Sequence, residues 1–131
     1  MRATKQVALD MGCKYIYDEW GRVNLHADKL KIGDVVVVET LPTNGEIDTT
    51  FAPYVRTSRT AIFAFLKHCD LDFKGFEVGE IIDEMLDVAK EYIMLLDRTN
   101  EYEPIDGRLD YNAVIDFLDA NIAGVRVTLT L

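Results

Sequence analysis

The chain has 131 residues, 49% of them hydrophobic and 28% charged, which fits a single domain with a real core and argues against wholesale disorder. Its formal charge of −9 has the wrong sign for a sequence-reading nucleic-acid binder, and no apolar run reaches the roughly 18–20 residues of a membrane helix. "MRATKQVALDMG" lacks a secretory h-region and two cysteines 56 positions apart make no disulfide framework, so a reducing, intracellular site of synthesis is expected.

In chain order, "TKQVALDMG" predicts a short helix with Val7, Ala8 and Met11 on one face and Gly12 just beyond its end. "KYIYDEWGRVN" predicts a strand with Tyr15, Tyr17 and Trp20 near one face and an irregularity at Gly21. "LHADKLKIGD" is turn-like, and "DVVVVETL" is a β-branched run suited to a strand buried on both faces. Asn44-Gly45 is a strong hairpin signal, so "EIDTTF" is expected to fold back antiparallel to that strand. Pro53 then interrupts, "YVRTSR" looks like an exposed connection, and "TAIFAFL" follows as another apolar strand.

A long amphipathic helix is predicted from near Val78. Val78, Ile82, Met85, Ala89, Tyr92 and Leu96 recur at spacings of three and four, with Asp83, Glu84, Asp87 and Glu91 on the other side. From Glu77 to Asp106 ten acids meet two bases, whereas from Met1 to Phe76 ten meet ten, so one segment carries nearly all the excess charge. That run reads as a solvated helix face, or as a surface that repels or slides past a polyanion.

"YNAVIDFLDANIAGVRVTLTL" fits two periods: odd positions alternate as in strands, while Tyr111, Val114, Ile115, Leu118 and Ile122 also form a helical stripe. Two strands joined near Asp119–Asn121 are the reading adopted. The resulting order is α-β-β-β-β-α-β-β, a single α+β domain over residues 1–131 built on one mostly antiparallel sheet covered by helices.

The pair His68–Cys69 raises the question of chemistry. Cys13, His26, His68 and Cys69 have no close-spaced ligand pairs, and neighbours on a strand point to opposite faces, so no metal site is expected. Cys69 is expected to be a small buried hydrophobe and His68 a strand-end side chain near solvent. Asp18-Glu19, Asp70 with Asp72, Asp83-Glu84 and Glu101 with Glu103 offer carboxylate pairs, but acid–base work needs a cleft that separates their pKa values. "DLD" and "NEYEPIDGRLD" do not match a calcium loop, no phosphate-binding glycine loop or hydrolase motif occurs, and Ser58 is the only serine. No catalytic residue, metal or cofactor is expected. Tyr15, Tyr17, Trp20 and Tyr54 either fill the space between sheet and helix or form a contact patch.

"KYIYDEWGRVNLHADKLKIGDVVVVETLPTNGEI", "IFAFLKHCDLDFKGFEVGEIIDEMLDVAKEYIMLL" and "EPIDGRLDYNAVIDFLDANIAGVRVTLTL" together resemble small structural proteins of Bacteroidetes phages and prophages. The element order is also similar to that of tail-terminator and head–tail connector proteins of tailed phages, whose small α+β subunits form a ring at the head–tail joint. The resemblance implies a non-enzymatic virion component made in the host cytoplasm. Its implied partners are copies of itself in a ring and other neck, portal or tail proteins, with genomic DNA only in passing. In that setting Tyr15, Tyr17, Trp20, Tyr54, Arg56 and Arg59 are the expected subunit interface. Asp83, Glu84, Asp87 and Glu91 are the expected channel-facing or solvent face. The alternatives are an acidic soluble module that inhibits or recruits a host protein, and a small hydrolase using convergent carboxylates.

Overall fold

The computed structural model describes residues 2–19, 22, 30–42, 44–69, 75–102, 104–105, 107–116 and 122–131. Helix α1 (Ala3–Asp10) ends where Gly12 takes φ +78°, a left-handed position that suits glycine, and the Cys13 N–H donates back to the Ala8 carbonyl at 3.0 Å. Strands β1 (Lys14–Asp18), β2 (Val35–Thr40), β3 (Gly45–Phe51) and β4 (Tyr54–His68) follow, then α2 (Gly75–Arg98), β5 (Tyr111–Asp116) and β6 (Ile122–Thr130). The expected α-β-β-β-β-α-β-β order is the observed one. The main sheet runs β1-β2-β4-β6-β5, antiparallel throughout except for the β1–β2 pair.

The hairpin expected at Asn44-Gly45 is not there. β3 pairs with β4, from Gly45 opposite Arg59 to Phe51 opposite Tyr54, and β2 pairs with the same β4 further along, from Val35 opposite Lys67 to Glu39 opposite Phe63. The Thr60 N–H donates to the Asn44 carbonyl at 3.0 Å, while the neighbouring Arg59 exchanges both backbone bonds with Leu131 at 2.9 Å. Successive residues of a strand aim their N–H groups at opposite edges, so β3 lies on the β2 side of β4, away from β6. The chain therefore passes Asn44-Gly45 in the same direction, and reverses only at Ala52-Pro53, whose peptide bond is cis. "YVRTSR", expected to be a connection, is the first six residues of a 15-residue strand. Local turn chemistry was overridden here by pairing along one long partner.

Residues 35–68 are thus one long hairpin. Its base is the centre of the sheet, and its far end, β3 with Tyr54–Arg59, is a two-stranded arm. The ambiguous C-terminal stretch forms two strands, as adopted, because β6 pairs with β4 on one side and β5 on the other.

Both helices lie on one face of the sheet. Val7 and Ala8 of α1 and Val78, Ile81, Met85, Ala89, Tyr92 and Leu96 of α2 share a core with Phe63 and Phe65. Tyr92 anchors it: its ring meets Phe63 and Phe65 at centroid distances of 5.5 and 5.2 Å, and its hydroxyl donates to the Thr4 carbonyl at 2.9 Å. On the opposite face Ile16, Val36, Val38, Ala64, Leu66 and Ile122 form a second, smaller apolar cluster, with Leu30 and Val114 against it. The β2 run is buried from both sides, as its unbroken valines predict.

Candidate interaction surfaces

Strand alternation separates the two reactive-looking neighbours at the end of β4. Lys67 and Cys69 face the helices, where Lys67 meets Glu84 at 3.0 Å and Cys69 is buried in the core. His68 sits at the strand end on the other face, half-buried. Cys13 is also a buried thiol, and burial pushes its pKa up, away from the thiolate. His26 lies outside the described residues, and among those described no group of three or more His, Cys, Asp or Glu side chains is placed to hold a metal ion.

Of the expected interface residues, Tyr15 belongs to the interior. Its hydroxyl donates to Glu39 Oε1 at 2.6 Å, and Arg2 bonds Glu39 Oε2 at 2.7 Å, so both oxygens of a carboxylate only 1% exposed are engaged. Burial, reinforced by the bond to Glu39, pushes the Tyr15 hydroxyl well above the ordinary tyrosine range. Arg2 also lies over the Tyr17 ring, 4.4 Å from its centroid. Arg2, Glu39, Tyr15 and Tyr17 thereby clamp the start of α1 onto β1 and β2. Sequence reasoning passed over Glu39 and Arg2. The available signal was a carboxylate within "VVVVET", where burial demands a partner. Trp20 lies outside the described residues.

Tyr54, Arg56 and Arg59 are not part of that cluster. Tyr54 stands at the arm's tip, 76% exposed; Arg56 is exposed opposite Asp48; Arg59 is half-buried where the arm leaves the sheet. Asp48 is held below the usual carboxylate range, first by bonds from Thr50 and then by the Arg56 charge. Phe51, paired opposite Tyr54, and Ile47 and Val55, towards the ribbon's other face, were not singled out by sequence reasoning and add exposed apolar surface: Ile47 is 73% and Phe51 68% exposed. Every residue of β3 is exposed. The sequence hint for this arm is weak: Tyr54, Val55 and Thr57 are β-prone, but "YVRTSR" carries no side chain that the core needs.

Asp83, Glu84, Asp87 and Glu91 all face solvent on α2, as expected. Two of them already meet a lysine, Glu84 with Lys67 and Asp87 with Lys90 at 3.8 Å. Among the described residues, these four carboxylates line neither of the two grooves that follow. A shallow groove of about 800 Å³ between β6 and the segment before β5 is lined by Ser58, Arg108, Asp110, Asn112, Thr128 and Thr130 among others. A groove of about 630 Å³ at the base of the arm holds Arg59, Glu101 and Tyr102.

Away from the arm, Leu9, Ile32, Leu41, Met94 and, on β5, Tyr111 and Ile115 are also exposed. Tyr111 and Ile115 point to the helix side of the sheet, but α2 packs over β6 and β4, leaving these two uncovered. Comparison of the chain with protein-family models, with curated proteins and with solved structures finds no match.

Proposed function

We propose that the chain is a non-enzymatic virion structural protein, a ring-forming subunit of the neck or tail of a tailed phage, as head–tail connector or tail terminator, through which DNA passes. The observation that carries this reading is the arm. An isolated two-stranded ribbon is marginally stable in water, and this one leaves Ile47, Phe51, Tyr54 and Val55 exposed. Such a ribbon gains its order and covers its apolar surface by docking on another protein. The virion setting comes from the likeness of the chain's segments to phage structural proteins. The acidic face of α2 suits a lumen that must not hold DNA, since like charge lowers sticking to phosphate.

The partners are copies of the same chain and neighbouring portal or tail proteins, and the site is a surface rather than a pocket. Mass spectrometry of purified virions, with light scattering of the pure protein, tests the reading. The expected result is a virion component of fixed copy number that self-associates. A strict monomer missing from particles would overturn it. The same monomer recovered with a host nucleic-acid enzyme would replace it with the acidic-decoy reading.

A further inference from the structure

We propose that Asn44-Gly45 is a site of spontaneous modification, where the chain closes on itself, releases ammonia and leaves aspartate or isoaspartate at the root of the arm. The inference goes beyond the ring-subunit reading and does not depend on it.

The pair has no turn to make. A two-residue hairpin turn of the Asn-Gly kind needs positive φ at both residues, and neither has it. Gly45 is held to glycine by packing instead, because a Cβ on it would run into the Ser58 backbone carbonyl of β4. A residue without a Cβ is also the one whose backbone nitrogen a preceding asparagine side chain reaches with least obstruction.

Strand geometry leaves that nitrogen open. The Asn44 carbonyl faces β4, where it accepts the Thr60 N–H at 3.0 Å, so the next N–H along, that of Gly45, points to the outer edge of β3. β3 pairs only with β4 among the described residues, and nothing described covers its outer edge. Asn44 itself is exposed, and no described residue bonds its side-chain amide. Only the bond from Thr60 has to open for the side chain to swing onto the Gly45 nitrogen. The other asparagines lack the pair: Asn24 precedes Leu25, Asn100 precedes Glu101, Asn112 precedes Ala113 and Asn121 precedes Ile122.

The Gly45 nitrogen gives its proton to water or hydroxide and attacks Asn44 Cγ. The new C–N bond closes a five-membered imide, the bond from Cγ to the amide nitrogen breaks, and ammonia leaves. Water then opens the imide at one carbonyl to give aspartate, or at the other to give isoaspartate. Either product adds a negative charge to an arm in which Glu46 and Asp48 balance Arg56 and Arg59. In isoaspartate the main chain runs through Cβ and Cγ, so the carbonyl that bonded Thr60 leaves the backbone. β3 then meets β4 out of step, and the arm loosens at its root.

The test incubates the folded, full-length protein at mildly alkaline pH and maps it with trypsin. Cleavage after Lys31 and Arg56 yields a peptide in which Asn44 is the only asparagine or glutamine. That peptide is expected to gain about 1 Da, the difference between an amide and an acid. The gain should be roughly tenfold faster, or more, than at Asn100 and Asn112, whose next residues carry a Cβ. Asn44→Gln should show no gain, since its longer side chain closes a ring far more slowly. A native chain that stays unchanged while the urea-unfolded chain converts, or conversion no faster than at Asn100 and Asn112, overturns the site. The arm gives a second readout through hydrogen exchange at the Glu46 and Asp48 N–H groups, which face β4. Exchange is expected to quicken in the isoaspartate form and to match wild type in Asn44→Asp, which adds the charge on a normal backbone. Equal exchange in all three overturns the loosening of the arm.

Discussion

Glu39 shows how one side chain can tie a terminus to a sheet. Its carboxylate is buried, and removing the Tyr15 hydroxyl leaves an acceptor oxygen without that bond. Tyr15→Phe is expected to cost about 1–3 kcal/mol in chemical denaturation. The same residue governs alkaline behaviour. Its pKa in the folded chain lies above the unfolded value of about 10, so its stabilisation is present below that pH and is lost as pH rises past it. Tyr92, raised first by burial, adds in the same direction. The fall in stability above about pH 10 is therefore expected to be shallower in Tyr15→Phe than in wild type. At the acid end Asp34 has the opposite sign. The Lys31 N–H and the Lys14 ammonium hold its pKa below the usual value, so its contribution is present above about pH 4 and fades as pH falls through the lowered pKa. Asp34→Asn should flatten the acid limb of a stability–pH profile; an unchanged limb would remove Asp34 from that role.

Among elements, the helices and the sheet core were open to reading from the sequence, and the arm was not. α2 announces itself through a stripe that the core fills almost position for position, with Ile81 buried more deeply than the expected Ile82. β2 announces itself through valines with no polar alternation. Asn44-Gly45 misled because a turn signal is local, whereas the pairing of β3 was decided by the length of β4, which the sequence does not mark. The paired odd positions of β5 and β6 were legible, but which of them the helix covers was not, because that depends on where α2 crosses the sheet. The two halves of β4 should respond very differently to substitution. Phe65→Ala, in the core, is expected to cost about 3–5 kcal/mol, while Phe51→Ser at the tip should change stability by less than about 0.5 kcal/mol. Gly124 gives a sharper contrast. A Cβ there would run into the Phe65 backbone carbonyl, so Gly124→Ala must spread β4 from β6, and a melting temperature equal to wild type would refute that close approach.

For the whole molecule, charge and shape divide the labour. The body holds the core, the clamp on α1 and all of the net negative charge, while the arm is neutral, apolar at its tip and unsupported by the body along β3. Salt should therefore strengthen self-association, because screening weakens repulsion between bodies and leaves the apolar contact of the arm intact. A contact dominated by ion pairs would weaken instead. The most direct measurement is sedimentation velocity of the full-length chain over a concentration series at about 0.5 M salt, where the Debye length is only a few Å, comparing wild type with Phe51→Glu. Concentration-dependent assemblies in wild type and a single monomeric boundary in the variant, at equal melting temperature, are the expected result. A monomer in both, or equal assembly in both, would contradict a function that works through the arm.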